Sequence, residues 1–162
     1  MVALSDGSVI KGFTIHQRFG RGASAIYCDG GSPLISGNKI SANWAATAIS
    51  CRDASPIISD NLITTAEDGI FSRGGSLLIL RNIISDVRLA NRIKSGNSFS
   101  LPSRSRIQNN IIHRVNQGIY ASWNTEVEIV NKGRGWTVCV NQPYYELSYN
   151  DIWGAKGKLR QL

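Results

Sequence analysis

Ile35-Ser36-Gly37-Asn38-Lys39-Ile40, Ile58-Ser59-Asp60-Asn61-Leu62-Ile63, Ile79-Leu80-Arg81-Asn82-Ile83-Ile84, Ile107-Gln108-Asn109-Asn110-Ile111-Ile112 and Leu147-Ser148-Tyr149-Asn150-Asp151-Ile152 are copies of one signature. Each copy is an aliphatic residue, two variable residues, an asparagine, one variable residue and an isoleucine. Successive asparagines lie 23, 21, 28 and 40 residues apart, and the last interval is two periods of 20. Ile10-Lys11-Gly12-Phe13-Thr14-Ile15 fits as an earlier copy with Phe13 in the asparagine place. A period of about 22 residues marks a repeat architecture, in which each unit buries its apolar side only against its neighbours.

A second landmark precedes the signature: Ala25-Ile26-Tyr27-Cys28, Ala48-Ile49-Ser50-Cys51, Gly69-Ile70-Phe71-Ser72 and Gly118-Ile119-Tyr120-Ala121 each start with a small residue and an isoleucine. Between the landmarks stand Asp29-Gly30-Gly31-Ser32-Pro33, Asp53-Ala54-Ser55-Pro56 and Arg73-Gly74-Gly75-Ser76. Glycine supplies positive φ and proline fixes φ, so these clusters are turns. Each repeat therefore reads as short strand, turn, short strand, turn, and no stretch keeps a helical period.

Stacked coils pair each strand with its equivalent in the next coil at about 4.8 Å. Ile26, Ile49 and Ile70 are then expected to form one interior stack, and Ile40, Ile63, Ile84, Ile112 and Ile152 another. The asparagines are expected to form a ladder, their amides bonding to one another and to turn backbone. Ile93 is expected to supply the strand isoleucine of its coil. Residues 95–104 then form an inserted loop, whose Phe99 and Leu101 fold back over outward Leu62, Ile83 and Ile111.

The pattern resembles the right-handed parallel β-helix repeat of the pectin-lyase-like superfamily, whose coils commonly read Gly-Ile-Tyr-x, Ser-Pro-x-Ile and Asn-x-Ile. Ile26-Tyr27-Cys28, Ser32-Pro33-Leu34-Ile35 and Asn38-Lys39-Ile40 match it, and the likeness covers about residues 9 to 153. Repeat and resemblance together imply an all-β chain, a right-handed parallel β-helix (solenoid) of about six to seven short coils, with an interior ladder of Asn38, Asn61, Asn82, Asn110 and Asn150. The resemblance also implies an extracellular or periplasmic, typically bacterial, protein. It carries little about activity, because this fold hosts lyases, hydrolases, adhesins and non-catalytic modules alike.

The 162 residues bound one domain, 1–162, filled by the repeat. No apolar run reaches the length of a membrane span. Met1 through Gly12 lacks the basic-then-apolar order of a secretory leader. A secreted superfamily without a leader suggests a piece of a longer chain. Three cysteines make no disulfide framework. Cys28 and Cys51 hold equivalent places in adjacent coils, either as stacked buried thiols or as an inter-coil bridge, and Cys139 falls outside that register. His16 and His113 stand too far apart for a metal site, so neither metal nor cofactor is implied.

The net charge is +7, and it is concentrated. Between Arg73 and Arg114 lie eight basic residues and one acid, Asp86. Asp29 and Arg52, Asp60 and Arg81, and Asp86 and Arg114 occupy equivalent places in successive coils and are expected to pair. Arg73, Arg92, Lys94, Arg104 and Arg106 have no such carboxylate partner in the repeat alignment. They form the expected ligand-binding flank, suited to an acidic polysaccharide whose carboxylates or sulfates would take guanidinium pairs. Nucleic acid fits less well, because the aromatics Trp123, Trp136, Tyr144, Tyr145 and Trp153 are not interleaved with these bases.

The main alternative is a polysaccharide hydrolase or lyase of the same superfamily. Polygalacturonases on this fold carry paired carboxylates before a strand isoleucine and an Arg-Ile-Lys in a later coil. Glu67-Asp68-Gly69-Ile70 and Arg92-Ile93-Lys94 are similar and, if stacked in one register, would bring Glu67, Asp68, Arg92 and Lys94 together for general-acid chemistry. The Gly-His-Gly coil and a further aspartate of that family are absent, Ala46-Thr47-Ala48 standing where the latter belongs. The acids are also too few for a calcium-dependent lyase. The sequence thus favours a non-catalytic binding module of a secreted or cell-surface protein, with a pure structural scaffold as a second alternative.

Overall fold

The computed structural model describes residues 1–18, 20–94, 103–121, 125–131, 138–140, 145–149, 151–153 and 160–161. Every regular element among them is a strand. β1 (Val2–Leu4), β2 (Val9–Lys11) and β3 (Thr14–Gln17) open the column. β4 (Ser24–Asp29), β5 (Leu34–Ser36), β6 (Lys39–Ala42), β7 (Thr47–Arg52) and β8 (Ile57–Ser59) follow the same rotation. In β9 (Leu62–Arg73), β11 (Ile83–Lys94) and β13 (Ile111–Ala121) the third strand of one coil runs on into the first strand of the next, with β10 (Leu78–Leu80) and β12 (Ser103–Gln108) between. β14 (Thr125–Asn131), β15 (Val138–Val140), β16 (Tyr145–Tyr149), β17 (Asp151–Trp153) and β18 (Arg160–Gln161) end the chain.

All pairings among these strands are parallel, and all join one coil to another, which makes a right-handed β-helix. Second strands form a seven-stranded sheet in the order β16-β14-β12-β10-β8-β5-β2, and first and third strands share the other. Complete turns number about four, fewer than the six or seven expected. Only the coils of Asn38, Asn61, Asn82 and Asn110 show all three strands together with a described ladder residue. The second-strand row keeps seven rungs, as the spacing predicts; the third-strand row loses one over the 40-residue interval before Asn150. That interval spans two steps of the second-strand row, Ile107 to Ile129 to Leu147, but one step of the third-strand row, Ile112 to Ile152. Asn150 itself lies outside the described residues, as do residues 95–102 of the expected loop; Ser103 and Arg104 belong to β12.

The interior is a set of vertical stacks. Ile26, Ile49 and Ile70 succeed one another, as do Ile35, Ile58, Ile79 and Ile107, and Ile40, Ile63, Ile84 and Ile112. Among the described residues nearly every large, fully buried side chain is isoleucine, Leu77 being an exception. A β-branched side chain suits a pleated interior surface, and each contributes about 1.5–3 kcal/mol on burial. The small landmark residue is explained at Gly69, where a Cβ would sit 2.7 Å from the Ala90 carbonyl oxygen.

One expectation about these stacks fails. Ile93 does not continue Ile26, Ile49 and Ile70; Asn91 does, paired in register with Ile70 on one side and Ile119 on the other. Ile93 falls two residues later, on the row of Cys28, Cys51 and Ser72. The small landmark residue was the better guide, since Ala90 keeps the place of Ala48 and Gly69. Asn91 is fully buried, and neither its Nδ2 nor its Oδ1 has a hydrogen-bond partner. Cys28 and Cys51 are in register, buried and free. The hydrogen bond to Cys28 and burial both push the Cys51 thiol well above its ordinary range.

The polar ladder is complete over its described length. The Asn38 backbone N–H and Nδ2 both donate to Asn61 Oδ1 at 3.0 Å, and Asn38 Nδ2 also donates to the Ile10 carbonyl at 3.1 Å. Asn61 repeats this with Asn82 Oδ1 (3.0 and 2.9 Å) and Ile35 O (2.9 Å), and Asn82 with Asn110 Oδ1 (2.8 and 3.0 Å) and Ile58 O (2.9 Å). Asn61 and Asn82 thus use both donor hydrogens and both acceptor lone pairs of their amides. Phe13 shows what the position demands of the backbone alone: its N–H donates to Asn38 Oδ1 at 3.0 Å while its ring stays exposed.

Single-residue corners of positive φ recur at two places along the column. The residue before the ladder position has positive φ: Gly12 (78°), Gly37 (64°), Asp60 (59°), Arg81 (52°) and Asn109 (55°). Thr65 (52°), Asp86 (54°) and Arg114 (52°) turn the third strand into the first, without a break in the pairing. Left-handed backbone costs about 1–2 kcal/mol at a non-glycine residue. At these corners the side chains stack outward, and opposite charges meet. Arg81 donates from Nε and Nη2 to the two Asp60 oxygens (2.7 and 2.8 Å), and Arg114 likewise to Asp86 (2.7 and 2.6 Å). Arg52 and Asp29 pair the same way in the first-strand row (2.9 and 2.5 Å). All three pairs stand where the repeat spacing places them. These hydrogen bonds hold the carboxyls of Asp29, Asp60 and Asp86 below their ordinary range.

Replacing Asn61 by leucine leaves the buried N–H and Nδ2 donors of Asn38 without an acceptor. It is expected to lower stability by at least about 3 kcal/mol in urea unfolding. Asn91→Ile, which completes an isoleucine stack and removes an unpaired buried amide, should raise it by about 1–3 kcal/mol; a loss would show that the amide is satisfied in solution. A carboxyl with a lowered folded pKa adds stability that is complete above the unfolded value, about 3.9, and lost as pH falls through the folded one. Stability should therefore hold from neutral pH to about 5 and fall below about 4, with a shallower acid limb in Asp60→Asn. An identical limb in that variant would mean that the pair contributes nothing.

Candidate binding face

The first strands β4, β7, β9, β11 and β13 present one outward residue per coil beside the buried stacks. Tyr27, Ser50, Phe71, Arg92 and Tyr120 succeed one another there in register, each half-buried. Along one edge runs a second row, Asp29, Arg52, Arg73 and Lys94. The two rows touch: the Arg52 guanidinium lies 5.9 Å from the Tyr27 ring centre, and that of Arg92 5.5 Å from the Phe71 ring. A guanidinium over an aromatic face gains about 0.5–1 kcal/mol at an exposed site and is fixed in direction. Arg52 is neutralised by Asp29. Among the described residues, Arg73 and Lys94 have no carboxylate partner, and they stack directly on one another. Like charges in adjacent strands oppose each other, so this row is electrostatically unfavourable unless an anion lies across it.

The other edge holds the acid pair. Asp68 is buried, its side chain 7% exposed, with Oδ2 accepting from Arg92 Nη1 at 3.1 Å and Oδ1 from Arg88 Nη2 at 3.5 Å. Arg88 Nη2 also donates to Glu67 Oε1 at 3.1 Å. The structure therefore brings Asp68 and Arg92 together, but not in the register expected. Asp68 stacks on Leu89 and Arg92 on Phe71. Lys94 belongs to the opposite edge, with Arg73. A general acid must present a protonated carboxyl to substrate; here both Asp68 oxygens face guanidiniums.

The expected flank of five cations divides in the same way. Arg104 and Arg106 lie in β12, on the second-strand sheet, in register with Glu126 and Glu128. Carboxylates thus do stand at the equivalent positions, contrary to the repeat alignment, which had no landmark in the coil of β14 to place them. The Arg104 backbone N–H donates to Ser76 Oγ at 2.9 Å, fixing Arg104 at the turn after the first strand. Arg88 and the aromatic row escaped the sequence reading. Reading every position at the period, rather than the charged ones alone, would have aligned Tyr27, Phe71 and Tyr120.

The third strands carry a different outer face. A trough of about 240 Å³ is lined by Thr14, His16, Lys39, Ser41, Leu62 and Thr64, and His16 Nδ1 is hydrogen-bonded to Ser41 Oγ. Among the described residues no three His, Cys, Asp or Glu side chains converge as a metal site would need. No helix there is long and apolar enough to cross a membrane. No curated protein and no solved structure matches the chain. Its family model is matched over residues 1–132, by the same repeats that build the column: the chain belongs to the right-handed β-helix region family.

Proposed function

We propose that this column is a non-catalytic binding module for an extended acidic polysaccharide, carried by a secreted or cell-surface bacterial protein. The observation that carries the reading is the Arg73–Lys94 row, without carboxylate partners among the described residues, beside guanidiniums stiffened on aromatic rings. Cations spaced by one strand separation, about 4.8 Å, suit a polymer that repeats its negative charge at a comparable interval. Arg73, Lys94 and Arg92 would take its carboxylates or sulfates in charge-assisted hydrogen bonds. Tyr27, Phe71 and Tyr120, aromatics other than those weighed against nucleic acid above, share a row with Arg92. Two of the rings, however, are capped by Arg52 and Arg92, so a base finds a guanidinium where it would stack.

The enzyme reading rests on Asp68 beside Arg92, and the scaffold reading on the ion pairs alone. Titration calorimetry with polygalacturonate, heparin, a neutral glucan and single-stranded DNA separates the three. Binding is expected to the acidic glycans only, weakening as salt rises. Arg73→Ala and Lys94→Ala should each lower affinity about tenfold, the weight of one charge-assisted contact of about 1.5 kcal/mol. Equal binding of the neutral glucan, or unchanged affinity in both variants, leaves the bare scaffold. Depolymerisation that disappears in Asp68→Asn would establish the enzyme instead.

A further inference from the structure

The geometry points to the outer face of the third strands as the interface of a two-fold dimer of this chain. Lys39, Leu62, Ile83 and Ile111 succeed one another in register down that face, and the three aliphatic residues are 37%, 40% and 44% exposed. A continuous row of large aliphatic side chains on a flat sheet face is a patch that monomeric proteins keep small. Leu62, Ile83 and Ile111 themselves offer no partner for a sugar hydroxyl or carboxylate.

The edges of the face identify the occupant. On the coil of Ile83, the edge at the asparagine corner carries Arg81 and the opposite edge carries Asp86, both exposed in part at left-handed corners. A second copy can be laid on the face by a two-fold axis parallel to the column and passing between Ile83 and Ile84. That operation keeps the coils in step and reverses the strand direction. Arg81 of each copy then lies over Asp86 of its partner, so the contact occurs twice per dimer. Leu62, Ile83 and Ile111 meet their own equivalents, which is the isologous condition. On the neighbouring coils Asp60 comes over Thr65, and Asn109 over Arg114, with no like charges opposed. A two-fold axis along the strands and through the coil of Ile83 would instead set Arg81 on Arg81 and Asp86 on Asp86, an arrangement that like-charge repulsion disfavours. Lys39, two coils from Ile83, and Asp151, next to Ile111, each meet their own equivalent toward the ends of the row, and the flexible stem of Lys39 carries its ammonium out to solvent. Arg81 has capacity for a second partner, because Asp60 takes Nε and Nη2 and leaves Nη1.

Light scattering at about 100 µM is expected to give twice the 17.7 kDa chain mass. Ile83→Asp should raise the dimer dissociation constant at least about tenfold with an unchanged far-UV spectrum. Ile83→Cys, beside the axis, should oxidise to a dimer linked through position 83. Val9→Cys, 64% exposed on the other sheet, should remain unlinked. A monomeric wild type, an undiminished dimer in folded Ile83→Asp, or equal cross-linking at both positions would overturn the proposal. None of these outcomes depends on whether the first-strand face binds glycan.

Discussion

A buried side-chain amide that uses all four of its hydrogen-bonding sites is the constraint from which the column follows. A primary amide placed among isoleucines costs several kcal/mol unless every site is met. Asn61 meets them by joining three coils: it accepts from Asn38, donates to Asn82 and donates to the Ile35 carbonyl. The strands before and after it must therefore stay in step with those above and below. The chain of amides also has a direction. Removing a rung takes the acceptor from two donors on its N-terminal side but only one donor from the amide on its other side, so damage is larger toward Met1.

The left-handed corners convert that backbone regularity into a surface. A residue at positive φ points its side chain outward at a fixed place in every coil, and stacking sets successive corner residues side by side. Asp60 with Arg81, and Asp86 with Arg114, are the result. Exposed pairs of this kind contribute little stability individually, about 0–1 kcal/mol. What they supply is an ordered alternation of charge along two edges. The first-strand row departs from that alternation at Arg73 and Lys94, where two cations follow one another. The departure is local, and it lies next to the only guanidiniums set on rings among the described residues.

Much of this was legible in the chain because stacking makes sequence distance equal to spatial adjacency. The ladder from Asn38 to Asn110, the isoleucine stacks and all three aspartate–arginine pairs follow from the period alone. The reading failed where a residue type was trusted over a position. Ile93 attracted the alignment because it is an isoleucine, although Ala90 marked the true register and put Asn91 inside. It failed again for Arg104 and Arg106, because the coil that brings Glu126 and Glu128 beside them carries no asparagine signature. The acid pair shows a third limit. Spacing placed Glu67 and Asp68 near cations, but the burial of Asp68 and the part of Arg88 depend on a corner whose geometry no motif encodes.

The seven additional residues between Asn82 and Asn110, compared with Asn61 and Asn82, leave no mark on the ladder. Its bonds there are 2.8 and 3.0 Å, against 3.0 and 2.9 Å one coil earlier. The extra chain enters after Lys94 and leaves before Ser103, at the corner between first and second strands. Lengthening a closed loop by such an amount costs less than about 1 kcal/mol in chain entropy. At this corner the fold separates what must be conserved in position from what is free to vary in length. The step of the column is therefore set by the strands that flank this corner and not by the length of chain between them.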